Sequence, residues 1–259
     1  MELTHPTLAG HSRQASIIAP FLKWAGAKTR VMDTLLQALP SSDIATCLIE
    51  PFAGSASVFL NTRYQQYVLA DSNADQVNTW RYAAEQPDAL IDKLQNLYQQ
   101  GNSEAAWRHH RRAFNDMPSG PDKAALFIYL NRHGFNGLCR YNQKGQFNVP
   151  FGRIRHPYLP AHEIRTFARK VARCHVSFFH AGFEETLLAA TEGMFASLNS
   201  VIYCDPPCLP VSKSASFTTY DGTTFTREDH QRLAMQLKKI HERTGFPVVL
   251  SARDSPDLC

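Results

Sequence analysis

Leu48-Ile49-Glu50-Pro51-Phe52-Ala53-Gly54-Ser55-Ala56-Ser57-Val58-Phe59-Leu60, followed by Tyr67-Val68-Leu69-Ala70-Asp71, carries the reading of the fold. A short apolar run ends in a turn of small residues. An apolar triplet then opens a helix, and a second apolar run ends on an acid. Strand, glycine turn, helix, strand and acid in that order make a βαβ unit, because parallel strands need a crossover between them. Turn and acid stand about 20 residues apart, the spacing at which a Rossmann-like unit sets a carboxylate against a ribose. A pyrophosphate-binding loop needs three glycines and this turn has one. The expected cofactor therefore carries a ribose but no phosphates.

Upstream, Phe21-Leu22-Lys23-Trp24-Ala25-Gly26-Ala27-Lys28 leads into an amphipathic stretch with Val31, Leu35, Leu36 and Leu39. Downstream, Asp75 to Gln100 and Asp122 to Tyr129 read as helical. Asn131 to Asn142 is polar and punctuated by Gly134 and Gly137, as in a loop or hairpin. Gln146 to Pro150 could form a strand, and Ala161 to Ala172 a helix. Val176–His180, Val201–Cys204 and Val248–Leu250 read as further parallel strands, with a helix over Thr226–Thr244. The fold class is α/β, a Rossmann-like sheet with an inserted module. No internal repeat is present.

Asp205-Pro206-Pro207 follows the apolar run Val201-Ile202-Tyr203-Cys204, so its carboxylate lies at the C-terminal end of a strand, where α/β sheets bind ligands. Two successive prolines stop the strand and give the turn a preset geometry without N–H donors. A fixed carboxylate beside a backbone carbonyl is a pair of acceptors suited to an exocyclic amino group.

The chain has 259 residues, 44% of them apolar, enough for a sizeable core. No apolar run is long enough to span a bilayer, and Met1–Pro20 reads as a loose polar tail rather than a signal peptide. Cysteines 47, 139, 174, 204, 208 and 259 lie in apolar or motif contexts, as reduced thiols of a cytoplasmic protein do. Cys204 and Cys208 have no companions that complete a zinc pattern, so no metal is expected. The net charge of +4 conceals an asymmetry: Arg108 to Arg173 holds 13 basic and 3 acidic residues, so the remainder is net acidic. Tyr129, Phe135, Tyr141, Phe147, Phe151 and Tyr158 interleave with this block, which reads as a nucleic-acid footprint. A solvated face of basic helices would leave the same charge count.

Lys23-Trp24-Ala25-Gly26-Ala27-Lys28, Pro51-Phe52-Ala53-Gly54-Ser55 and Asp205-Pro206-Pro207, in that order, resemble the Dam-type DNA adenine-N6 methyltransferases. The resemblance runs from about Phe21 to Leu250, and Asn131–Asn142 with Asn148-Val149-Pro150-Phe151-Gly152-Arg153 resembles that family's DNA-reading segment. It implies a Rossmann-like class I methyltransferase sheet using S-adenosylmethionine and acting, as a monomer, on GATC in double-stranded DNA. Residues 21–80 and 174–259 would form the catalytic domain, 81–173 the target-recognition insert and 1–20 a flexible tail. Trp24, Lys28, Phe52, Asp71 and Asp205 would bind the cofactor, with Asp71 on the ribose. Asp205, Pro206 and Pro207 would act on the target amino group. Lys23, Leu138, Arg140 and Pro150 would read base edges, and Phe135, beside Asn136, would wedge into the stack. Taken singly, Trp24 and Phe135 could be core residues, Asp71 a helix cap and Arg140 a phosphate contact.

The sequence departs from the family pattern at several points. Cys208 stands where the family has an aromatic, usually Tyr, that stacks on the flipped base. Ala27 stands where the family has Gly, and Ile154 where some members carry an aromatic. The ending after Val248-Val249-Leu250 is unlike the family's, and is expected to be a truncated or degenerate end that lacks further strands. These departures lead us to expect impaired activity. A non-catalytic DNA-binding protein is the alternative, followed by an RNA or protein N-methyltransferase or an N4-cytosine enzyme.

Overall fold

The computed structural model describes residues 17–24, 26, 28–192, 198–207 and 225–251. A 3-10 turn at Lys28–Val31 enters α1 (Met32–Ala38), and the βαβ unit follows as β1 (Cys47–Glu50), α2 (Ser57–Asn61) and β2 (Gln66–Asp71). Five helices come next: α3 (Ala74–Glu85), α4 (Pro87–Gln99), α5 (Glu104–Asp116), α6 (Pro121–His133) and α7 (Ala161–Val171). The chain then returns as β3 (His175–His180), α8 (Phe183–Glu192), β4 (Ser200–Cys204), α9 (Arg227–Thr244) and β5 (Val248–Leu250).

Among the described residues five strands form one parallel sheet, in the order β3-β2-β1-β4-β5. From β1 the chain winds outward to β2 and β3, then crosses to β4 and β5 on the other side. The crevice at the carboxyl ends of β1 and β4 is therefore the topological switch point, where open α/β sheets bind ligands.

Alternation along β1 divides the core between two faces. Cys47 and Ile49 pack with Phe183, Leu187, Leu233, Leu237 and Ile240 of α8 and α9. Leu48 packs with Met32, Phe59, Trp80 and Phe167 on the opposite face. Because both faces are covered, the strands read as continuous apolar runs rather than alternating ones. The larger cluster continues into the helical segment through Trp107, Phe114 and Phe127. There α6 is buried at ten of its thirteen positions, as a helix surrounded by others must be.

Several boundaries differ from the sequence reading. The helix over Asp75–Gln100 is two helices, broken at Gln86 because Pro87 takes the first position of α4. Asn131, Arg132 and His133 are the last residues of α6 rather than loop. Gln146–Pro150 forms no strand: it holds one isolated antiparallel bridge, Phe147 to Tyr141, with a second, Phe151 to Gly134, just beyond it. The helix expected from Thr226 begins at Arg227, with Thr226 and Asp229 forming a reciprocal capping box. The Ala27 and Cys208 departures lie outside the described residues, as does most of the N-terminal tail.

Candidate active site

Three neighbouring strands end in acids. Glu50 closes β1, Asp71 closes β2, and Asp205 follows β4 by one residue. The turn after β1 is pinned to the end of β2: Ala53 N–H donates to the Ala70 carbonyl (2.9 Å) and Gly54 N–H to Asp71 Oδ2 (3.0 Å). Asp71 Oδ1 accepts from Asn73 N–H, also at 3.0 Å. The cap of α3 is Asn73, whose side chain accepts from Gln76 N–H, so the capping role left open for Asp71 belongs to its neighbour.

Gly54 has φ +52, and a Cβ there would lie 2.7 Å from the indole Nε1 of Trp24. Only glycine lets the indole lie on this turn. Trp24 is half-buried, packed against the larger core cluster but not enclosed by it. Phe52 turns toward the other face, stacking on Phe183 with ring centroids 5.7 Å apart and meeting Phe225 edge-on at 5.6 Å.

Lys28 Nζ lies 2.7 Å from Asp205 Oδ2 and also donates to the Gly26 carbonyl (3.0 Å). Burial pushes the Asp205 carboxyl above its ordinary range, and the Lys28 hydrogen bond and charge oppose that rise. The Pro207 carbonyl accepts from His230 Nε2 of α9 at 3.1 Å. A carbonyl can only accept, so Nε2 carries the proton; burial lowers the imidazole pKa and favours this neutral form.

Glu50 and His230 are the residues that sequence reasoning missed. Glu50 is 1% exposed, its Oε1 has no hydrogen-bond partner among the described residues, and burial pushes its carboxyl up to about 8. A Phe59 N–H opposes that rise and the Asp205 charge adds to it. Glu50 carried the same signal as Asp71, an acid at the end of an apolar strand. His230 reaches the proline corner from 23 residues away, with no local signal.

A second group assembles beside α6. Phe135, Asn136 and Gly137 form a 3-10 turn in which Asn136 adopts φ +53. Phe135 N–H donates to the Pro150 carbonyl (2.9 Å), while the residue is 46% exposed, which removes the core reading. Leu138 follows the turn. The Arg140 guanidinium is held at Asn148 by Nε on Oδ1 (2.9 Å) and Nη2 on the main-chain oxygen (3.2 Å). The Lys23 stem packs on Gly137, and burial, with Arg132 adding, lowers its amine pKa. Lys23, Phe135, Asn136, Leu138, Arg140 and Pro150 thus form one neighbourhood.

The aromatic interleaving read as a footprint is mostly packing. Tyr129, Tyr141 and Phe147 are buried and Phe151 is half-buried; Phe135 and Tyr158 are exposed. Part of the basic block is structural as well. Arg132 is buried against the Phe21 carbonyl, and Lys170 donates to the Thr62 carbonyl and Tyr67 hydroxyl. Among the described residues no cluster of His, Cys, Asp or Glu could hold a metal ion, and no helix is long and apolar enough to cross a membrane.

The sequence profile of the D12 class N6 adenine-specific DNA methyltransferase family matches residues 24–257. A DNA adenine methylase of Vibrio cholerae is 40% identical over 236 residues, covering 91% of this chain and 81% of that protein. A DNA adenine methylase of Escherichia coli K12 is 38% identical over the same shares. The Retron Ec67 DNA adenine methylase of Escherichia coli is 39% identical over 240 residues, 92% of this chain and 78% of its own length. These matches favour DNA adenine over the RNA, protein and N4-cytosine alternatives.

Proposed function

The chain belongs to the D12 class N6 adenine-specific DNA methyltransferases, and from that premise we propose that it methylates adenine in GATC within double-stranded DNA, using S-adenosylmethionine. The observation that carries this reading is the convergence at one sheet edge of Trp24, Lys28 and three strand-end acids.

The cofactor fits the residues present. Gly54 leaves room for the indole against the turn, and the buried Glu50 Oε1 lacks a partner among the described residues. Aromatic faces with carboxylates suit a cationic, ribose-bearing ligand without phosphates. Trp24, Lys28, Phe52, Asp71 and Asp205 would hold it, with the Asp71 oxygens shared between the ribose and the two backbone N–H groups they already serve. Bound there, S-adenosylmethionine supplies a methyl group activated by positively charged sulfur.

The chain's own residues supply the rest. Adenine N6 is a poor nucleophile because its lone pair is delocalised into the ring, and within a duplex it is out of reach. Extruding the base costs a few kcal/mol. The Asp205 carboxylate and the Pro206 carbonyl accept the N6–H bonds and favour the pyramidal, attacking amine. An ionised Asp205 is the better acceptor, and the Lys28 hydrogen bond and charge favour that form against the rise that burial imposes. His230 fixes the Pro207 carbonyl and so the corner that carries both acceptors. Catalysis of this kind rests on orientation and charge placement.

Residues 81–173 act as the target-recognition module. Lys23, Leu138, Arg140 and Pro150 read base edges, and Phe135, beside Asn136, enters the stack. The fixed Arg140 fork and the exposed Phe135 ring support these roles. A single copy is taken as the acting unit, and DNA as substrate gives a cytoplasmic site of action. Cys208 in place of a stacking aromatic reduces turnover.

Purified protein with labelled S-adenosylmethionine should label adenine in a GATC duplex and not in one with the site scrambled. Equal labelling of both, or absence of S-adenosylhomocysteine binding, would overturn the reading. The second reading, a non-catalytic binder, is favoured by Cys208. It requires salt-sensitive duplex binding without any methyl transfer.

A further inference from the structure

We propose that Asn131 is a positioning residue that couples the donor-binding segment to the DNA-reading turn. The inference rests on the reading above, because it assumes that the first segment meets the methyl donor and the second meets DNA.

The Asn131 side chain is completely buried near the end of α6. Its amide offers an acceptor oxygen and two N–H donors; the short bonds go to main chain from two separate segments, with a longer contact from Nδ2 to the Cys139 thiol (3.5 Å). Oδ1 accepts from Lys23 N–H at 2.8 Å. Nδ2 donates to the Lys23 carbonyl and to the Gly137 carbonyl, each at 2.8 Å. One side chain therefore grips both polar groups of residue 23 and the turn that carries Phe135 and Leu138.

Three further contacts stiffen the link. Gly137 has φ +64, and a Cβ there would overlap Lys23 Cβ, so the turn and the segment are in van der Waals contact. Arg132, the next residue of α6, donates from Nε and Nη2 to the Phe21 carbonyl. Beyond Lys23, Trp24 rests on the Gly54 turn, which is itself bonded to Asp71. A displacement of Trp24 when the donor binds is passed to Lys23. The buried amide then passes it to Gly137, and so to the residues that meet the base stack. A side chain that merely filled space would need no amide.

Linkage makes the claim measurable. If the donor site and the DNA site are coupled, each ligand raises the other's affinity by one common factor. The probes are S-adenosylhomocysteine and a GATC duplex, titrated separately and together against wild type, Asn131→Ala and Asn131→Asp. The wild-type factor should be about fivefold or more. In both variants it should fall toward one, while the affinity for each ligand alone changes less. A wild-type factor of one, or a factor retained in a folded variant, overturns the proposal. Should neither variant fold, wild-type amide hydrogen exchange decides. S-adenosylhomocysteine alone should slow exchange across residues 135–140, and unchanged exchange there overturns it. If S-adenosylhomocysteine does not bind wild type at all, the cofactor reading fails and this inference with it. If both ligands bind without coupling, this inference alone fails.

Discussion

Asp205 is held between two opposing influences. Burial raises its carboxyl pKa, and Lys28 at 2.7 Å lowers it. Replacing Lys28 by Gln removes the opposing charge, so the carboxyl should stay protonated to higher pH. The acid limb of the kcat–pH profile of Lys28→Gln should therefore lie at higher pH than in wild type. A limb that stays in place would separate Lys28 from the ionisation of Asp205. Cys208 lends itself to a gain-of-function test. Base–aromatic stacking contributes about 1–3 kcal/mol, so Cys208→Tyr should raise kcat/KM on a GATC duplex by roughly ten- to a hundredfold. No gain on labelled transfer would show that the thiol does not limit turnover. At this scale the sequence was legible where a residue sat inside a compact motif, as Trp24, Lys28 and Asp205 do. Glu50 carried the strand-end signal of Asp71 but stands one residue before the compact Pro51–Ser55 motif, and it was passed over. The sequence was silent on His230, which meets Pro207 only because α9 packs back across the sheet.

At the scale of elements, the strands were more legible than the helices, for a physical reason. A strand covered on both faces reads as a nearly continuous apolar run, as β1 does up to Glu50 and β4 does after Ser200. By contrast α5 buries only Trp107, His110 and Phe114, and its other positions are largely arginine, histidine and acid, so it read as part of a charge block. The bridged stretch around Phe147 read as a strand because apolar side chains recur there, yet Phe147 faces inward onto Phe114 and Tyr141. Propensity cannot separate such an inward-facing loop from a strand. The turn between β1 and α2 gives an element-scale prediction. Gly54→Ala introduces a Cβ at φ +52, against the Trp24 indole. The backbone strain is of order 1–3 kcal/mol, and displacement of the indole adds to it. We expect a lower Tm and weaker S-adenosylhomocysteine binding by calorimetry. Unchanged binding in a destabilised variant would mean that Trp24 does not form part of the donor site.

On the scale of the whole molecule, the switch-point crevice gathers acids while the helical segment carries the basic excess, some of it buried as structural cations. Gathering acids has a consequence for folding, and Glu50 isolates it. Its carboxyl titrates at about 8 in the folded chain because burial disfavours the charged form, and within the ordinary carboxylate range when unfolded. Below both values the carboxyl is protonated in either state and adds no pH dependence. As pH rises between them, the unfolded chain ionises and the folded chain does not. The unfolded state then binds fewer protons, so stability falls with rising pH and levels off above about 8. The full window is worth on the order of 5 kcal/mol. In Glu50→Gln the side-chain oxygen can still accept the Phe59 N–H, but nothing ionises. The stability of the variant relative to wild type should therefore be small near pH 5 and grow steadily toward pH 8, read from urea unfolding at each pH. Subtracting wild type cancels every other titrating group that the substitution leaves undisturbed. A difference that stays flat across that range would mean that Glu50 is ionised in the folded protein, with a partner cation that the geometry of the β1 edge does not reveal.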